Sequence, residues 1–221
     1  MSDAVVLLSG GLDSTVCLGL ARQEGFTPWT LSFDYGQRHS AELASALAVA
    51  EALGVPPARR RVVPLHGLFS GSALTGDEPV PLDRSWDQMG QDIPSTYVPA
   101  RNLVFLSLAT AIAEPLGIGD LFIGVNALDY SGYPDCRPEF IAAFIQAARL
   151  GTRHGIQVHT PLAHRTKAEI AALGHRLGLP LELTMSCYLG QRPACGRCDA
   201  CLLRRHGFEE AGLVDPLPYR V

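Results

Sequence analysis

Ala4-Val5-Val6-Leu7-Leu8-Ser9-Gly10-Gly11-Leu12-Asp13-Ser14 opens the chain with an apolar run that turns at a glycine pair into a helical pattern lasting to about Glu24. An unbroken apolar run is of the kind buried on both faces of a parallel sheet, and glycines let the backbone turn sharply from strand to helix. The alternation continues outward. Strands are expected at Trp29 to Phe33, Arg60 to Leu65, Asp120 to Val125 and near Gln157 to His159. Helices are expected at His39 to Gly54, Asn102 to Leu116, Pro138 to Leu150, Thr166 to Leu177 and about Asp199 to Ala211. Repeated βα units imply an α/β fold, a parallel sheet with helices on both faces. In such sheets ligands sit beyond the carboxyl ends of the strands, so the loops at Ser9, Asp34 and Asn126 are the site candidates.

With 221 residues, 47% of them hydrophobic and 18% charged, the chain can bury a core as one domain with a small appendage. The boundary is expected near 180, with residues 181–221 as a C-terminal cysteine-bearing region. The net charge of -4 and pI near 5.9 exert no bulk pull on nucleic acid, so no direct nucleic-acid partner is expected. Leu103 to Ala113 is too short to span a bilayer, and Met1-Ser2-Asp3 lacks the basic start of a secretory signal. A cytoplasmic location without membrane contact is the expectation. His66 to Thr96, rich in Gly, Pro, Ser and Asp, is longer than an ordinary connection and reads either as a mobile lid or partner contact, or as a disordered insertion.

Ser9, Gly10, Gly11, Leu12, Asp13 and Ser14 form an anion-binding arrangement: amide N–H groups and the positive helix end can converge on a phosphate, and two serines add hydroxyls. Asp13 would repel phosphate unless it orders the loop or meets Mg²⁺, so a metal-bound nucleotide is implied. A Walker loop is excluded because the single lysine, Lys167, follows Thr166 rather than glycine; the dinucleotide fingerprint is excluded because its third glycine position falls on Phe122. A Gly-Gly turn with Ser14 as a helix cap is the plainer alternative.

Seventeen of the eighteen Lys and Arg residues are arginine, and Lys167 is the exception. A compact, mobile ammonium suits a phosphate that shifts during reaction better than a rigid guanidinium fork does. A lysine on an exposed helix start is the plainer reading.

Cys195-Gly196-Arg197-Cys198-Asp199-Ala200-Cys201 contains two overlapping C-x-x-C steps, and Cys187 can return across the intervening loop as a fourth ligand. Four thiolates make a closed, structural site, expected to hold one Zn²⁺ per chain. An iron–sulfur cluster competes on spacing alone, and catalytic thiols are a third option. Cys17 reads as a buried core cysteine, while Cys136 falls in a candidate site loop.

The S-G-G-x-D-S pattern resembles the ATP pyrophosphatase superfamily, which implies an adenine nucleotide α-hydrolase-like fold, a loop gripping the β and γ phosphates, and release of AMP and pyrophosphate after adenylation of a substrate oxygen. In that superfamily a lysine after a T-P-L segment, here Thr160-Pro161-Leu162, approaches the phosphates. A closer resemblance is carried by Phe33-Asp34-Tyr35-Gly36-Gln37-Arg38-His39, Tyr97-Val98-Pro99-Ala100-Arg101-Asn102, Gly124-Val125-Asn126-Ala127, the run from Asp129 to Arg137, and Ser186-Cys187-Tyr188 with the later cysteines. Together these are similar to the 7-cyano-7-deazaguanine synthases.

This second resemblance implies a carbon–nitrogen ligase of queuosine biosynthesis, a homodimer that converts 7-carboxy-7-deazaguanine and ammonia into the nitrile at the expense of ATP with Mg²⁺. Catalysis would rest on positioning and charge neutralisation, with Lys167 and Arg101 as candidates. Asp129, Tyr130, Tyr133 and Asp135 would read the deazapurine, although Gly132 and Pro134 make turn roles equally available. Tyr35, Arg38 and His39 could line the nucleotide pocket. Two rival readings are a sulfur-transfer enzyme acting on tRNA and a non-catalytic nucleotide-binding module whose zinc ribbon binds a partner.

Overall fold

The computed structural model describes residues 2–37, 41–91, 93–126 and 133–220. Five parallel strands, β1 (Asp3–Leu7), β2 (Thr27–Asp34), β3 (Arg60–Pro64), β4 (Asp120–Phe122) and β5 (Gln157–His159), form one sheet in the order β3-β2-β1-β4-β5. All pairings are parallel, with Val5 opposite Trp29 on one side and Leu121 on the other. The helices are α1 (Leu12–Gln23), α2 (Ala41–Ala52), α3 (Trp86–Gln91), α4 (Arg101–Ala113), α5 (Pro138–Gly151), α6 (Lys167–Arg176) and α7 (Asp199–Glu210). Among the described residues no helix is long and apolar enough to cross a membrane.

Side chains alternate across a strand, and the central strands therefore feed two cores. Val5, Leu7, Leu31 and Leu121 pack with Leu106 of α4 and Ile141 of α5 on one face. Ala4, Val6, Leu8 and Phe122 pack with residues of α1, α2, α6 and α7 on the other. Each such aliphatic side chain fully removed from water contributes about 1.5–3 kcal/mol to the gross burial term. This double burial is why β1 reads as a continuous apolar run.

Strand order reverses at β1, since β2 lies on one side of it and β4 on the other. A crevice opens at such a reversal beyond the strand ends. Two expected elements end earlier. Strand β4 stops at Phe122 rather than Val125, because Gly124 leaves the sheet to pass over the start of α1, where an added Cβ would lie 3.0 Å from the backbone C and O of Asp13. Helix α4 ends at Ala113 and tightens into a 3₁₀ turn at Glu114–Leu116, with proline in its first turn.

In the segment 66–96, expected as a lid, partner contact or disordered insertion, the stretch Leu82–Arg84 lies against the cysteine region. Ala73, Leu74 and Val80 are buried, Leu82 bridges to Cys198, and Arg84 donates to Asp199 at 2.8 Å. The fully buried Arg204 of α7 donates to both oxygens of Asp215 and to the Leu181 carbonyl, which fastens α7 to the chain on either side of it. At the other edge of this region the Met185 N–H donates to the Gly10 carbonyl at 2.8 Å.

Candidate active site

The crevice at the reversal is a cavity of about 270 Å³ whose floor is the Ser9–Ser14 loop. Gly10 sits at φ 86°, and a Cβ there would meet the Glu42 carbonyl at 2.4 Å and the Ala46 nitrogen at 2.5 Å. Only glycine fits between the loop and α2. Gly11 caps α1 in an extended conformation, without a side-chain cap of the helix end. Ser14 Oγ donates to the Gly11 carbonyl at 3.1 Å and accepts from the Ser9 N–H at 3.2 Å, and the two serine hydroxyls lie 3.0 Å apart. The loop is thereby pre-shaped, with the positive end of a twelve-residue helix behind it.

Lys167 is the first residue of α6, fixed there by a reciprocal capping box between Thr166 and Glu169. Its ammonium reaches across to Asp13 and donates to both carboxylate oxygens, at 2.9 and 2.8 Å. Asp13 therefore orders the loop as the counter-charge of Lys167. Both groups line the cavity.

The opposite wall is aromatic and basic. Phe33 and Phe105 stack with centroids 4.0 Å apart, and Arg101 donates to the Tyr35 hydroxyl at 3.4 Å. Burial opposes the charge on Arg101, but the Tyr35 hydroxyl, which accepts its hydrogen bond, and the nearby Asp135 carboxylate hold its pKa above the ordinary value, so the guanidinium stays charged. Burial also raises the pKa of Tyr35 and Tyr133, which remain neutral hydroxyls. Tyr133 shares a 3.2 Å hydrogen bond with Thr96. Asp13 and Glu42 are the carboxylates that line the cavity among the described residues. Burial pushes Glu42 up to about 7, against the pull of Arg101.

The sequence candidates divide as follows. Ser9, Gly11, Leu12, Asp13, Ser14, Lys167, Arg101 and Tyr133 border the cavity, and Gly10 shapes its floor from behind. Asp135 does not border it: its carboxylate accepts from the Asn102 N–H at 2.8 Å and its carbonyl from the Asn102 side chain at 3.2 Å, so it secures the start of α4 and with it Arg101. Asp129 and Tyr130 lie outside the described residues, as do Arg38 and His39. Cys136 borders the cavity, but burial, with Asp135 beside it, pushes its thiol up to about 12. Asn126, in one of the expected loops, lines the cavity and donates to the Arg165 carbonyl at 2.7 Å, whereas Asp34 pairs with His66 at 3.2 Å. Glu42 was not a sequence candidate, because an acidic residue in the first turn of an alanine-rich helix carries no signal of its own.

Cys187, Cys195, Cys198 and Cys201 are all buried, with their sulfurs within 4.8 Å of one another. Cys195 and Cys201 Sγ stand 3.8 Å apart, far beyond a disulfide bond and close to the edge of a tetrahedron with metal–sulfur bonds of about 2.3 Å. Backbone N–H groups of Cys195, Arg197 and Cys198 donate to the sulfurs at 3.3 to 3.4 Å, an arrangement that favours thiolate. Hydrogen bonds from Cys198 and Cys201 hold the Cys187 thiol well below its ordinary range, and the same exchange raises the other two. Such a donor set is completed by one soft cation.

The family model described as "Queuosine biosynthesis protein QueC" matches residues 3–212. A relative in Solidesulfovibrio magneticus, named 7-cyano-7-deazaguanine synthase, is 57% identical over 98% of this chain and 95% of its own length. Another of that name in Kineococcus radiotolerans is 55% identical over 98% of this chain and 97% of its own. Among solved structures, a 4-thiouridine synthetase–RNA complex with bound ATP superposes with a TM-score of 0.51, at 20% identity, over 94% of this chain and 53% of that one. NMN synthetase from Francisella tularensis gives 0.50 at 16% identity, over 96% and 73%. At those identities the two structures share the fold alone.

Proposed function

The chain belongs to the queuosine biosynthesis protein QueC family, and from that premise we propose that it is a ligase that makes 7-cyano-7-deazaguanine from 7-carboxy-7-deazaguanine and ammonia, splitting two ATP to AMP and pyrophosphate. The observation that carries the reading is the convergence of the Ser9–Ser14 loop, Lys167 and the Arg101–Tyr35 wall on one cavity.

In the first half, the substrate carboxylate attacks the α-phosphorus of ATP and pyrophosphate leaves; ammonia then attacks the acyl carbon, and AMP departs with one oxygen to give the amide. In the second half, the amide oxygen attacks a second ATP, pyrophosphate leaves again, and loss of AMP and the two amide protons gives the nitrile. Neither half needs a nucleophilic side chain. The loop amides and the α1 end hold the departing pyrophosphate, and Lys167 exchanges Asp13 for phosphate oxygens as charge builds on them. Arg101 neutralises the α-phosphate side, while Tyr133 meets the deazapurine. Mg²⁺ entering with ATP supplies further charge neutralisation, and Asp13 is the loop carboxylate that would hold it.

Four buried sulfurs with a tetrahedral edge of 3.8 Å fit one structural Zn²⁺ per chain, held by Cys187, Cys195, Cys198 and Cys201. None of the six cysteines forms a disulfide, as a reducing cytoplasmic compartment would leave them. The sulfur-transfer reading needs a nucleophilic thiolate. Outside the cluster, Cys136 is pushed up to about 12 and burial raises the Cys17 thiol further, so neither supplies one. The test is AMP release that requires both the acid and ammonium; ATP hydrolysis indifferent to either, or sulfur incorporation, contradicts the reading.

A further inference from the structure

Lys167 is held from three sides, and the third is unexpected. The capping box fixes its backbone and Asp13 receives its ammonium, but its stem lies against the backbone of α7 at Gly207. A Cβ built on Gly207 would stand 2.5 Å from Lys167 Cγ, 2.8 Å from its Cβ and 2.9 Å from its carbonyl carbon. Real contacts of that kind do not occur, and the last atom is backbone, so a rotamer change cannot relieve all three.

Helix α7 cannot easily retreat either. Three residues before Gly207, the fully buried Arg204 is clamped to Asp215 and the Leu181 carbonyl, and its guanidinium lies 5.3 Å from the ring centroid of Phe208. Phe208 is itself buried in the core shared with α1 and α6. At Gly207, α7 thus meets the stem of the single lysine at the start of α6.

We infer that Gly207 is a positioning residue for the nucleotide chemistry: by presenting bare backbone it sets how far the Lys167 ammonium reaches into the cavity. The inference rests on the reading that Lys167 engages the ATP phosphates. It assigns a catalytic consequence to a glycine of α7 that does not itself line the cavity, which a purely structural glycine would lack. Gly19 of α1 provides the contrast, because a Cβ there would press on Leu179 Cδ1 and Cδ2 at 2.8 Å, the flexible end of a side chain that does not line the cavity.

The experiment compares metal-loaded Gly207→Ala, Lys167→Ala, the double variant and Gly19→Ala for AMP formation, KM for ATP and for the acid, metal content and melting temperature. A displacement near 1 Å at a charge-stabilising group lowers turnover by up to about 10²-fold. Gly207→Ala is expected to lower kcat by about 10-fold or more, with the KM for the acid and the metal content unchanged. Added to Lys167→Ala it is expected to have no further effect, whereas Gly19→Ala lowers the melting temperature and leaves kcat alone. Wild-type kcat and KM for ATP in Gly207→Ala, beside an inactive Lys167→Ala, overturns the inference but leaves the function standing. Full activity in Lys167→Ala overturns the reading beneath it. Should Gly207→Ala not fold, Phe208→Leu loosens α7 without adding an atom against Lys167: a fall in kcat/KM for ATP supports the inference, and an unchanged value overturns it.

Discussion

The ammonium of Lys167 lies 2.9 and 2.8 Å from the two carboxylate oxygens of Asp13, joining the start of α6 to the start of α1 beside the cavity that both side chains line. The side chains are 15% and 28% exposed, so the pair is partly solvated and its contribution to stability is about 1 kcal/mol or less. Its role is better sought in turnover. When ATP enters, the same ammonium has a choice between one carboxylate and the phosphates, and a flexible stem allows the exchange.

Lys167→Ala is therefore expected to lower kcat for AMP formation by about 10²–10³-fold, with a melting temperature close to that of the parent. Lys167→Arg should not restore activity, because a planar fork does not follow a phosphate that moves and the stem is confined by Gly207. Steady-state kinetics beside thermal denaturation decide this; a large stability loss with unchanged kcat would contradict it.

Cys198→Ser removes one of four buried sulfurs and leaves three thiols without the cation that their spacing fits. The expected result is loss of bound zinc and a destabilisation of more than about 4 kcal/mol, because the energy of metal binding is part of the energy of folding. Elemental analysis of the parent should give one zinc and no iron per chain. A metal-free variant with parental stability and no turnover would point instead to catalytic thiols.

Glu42 sets a pH dependence of stability. Its folded value of about 7 lies above the ordinary carboxyl value of 4.5, and burial is the main cause. A raised folded value means that the contribution is fully present below pH 4.5 and is lost as pH rises through 7. Glu42→Gln should remove that slope, leaving the variant more stable than the parent above pH 7 by on the order of 2 kcal/mol. Denaturant titrations at pH 5 and pH 8 measure the difference, and parallel pH dependence in the two proteins would count against it.

What could be read from the chain divides by range. The strand–Gly-Gly–helix junction and the cysteine spacing are local patterns whose chemistry follows from neighbours in sequence, and they position Asp13, Ser14 and the four sulfurs. Glu42 enters the cavity only because α2 packs on the loop at Gly10, and Gly207 matters only because α7 lands on Lys167. Neither contact has a periodicity or a motif. Asp135 shows the converse: an acidic residue in a substrate-like run is drawn to the backbone of Asn102, where an unpaired helix N–H needs an acceptor. The 66–96 segment lacked periodicity because, apart from the short α3, it runs as irregular chain held to the cysteine region at Leu82 and Arg84 instead of forming a layer.

The central claim is that one phosphate loop serves two adenylations, acid and then amide, in a single cavity. It is tested most directly by the ratio of AMP to nitrile formed from 7-carboxy-7-deazaguanine, ammonium, ATP and Mg²⁺. Two AMP per nitrile, with the amide accepted as a substrate that consumes one, is the expected result. One AMP per nitrile, release of ADP in its place, or an amide that the protein cannot convert would contradict the account.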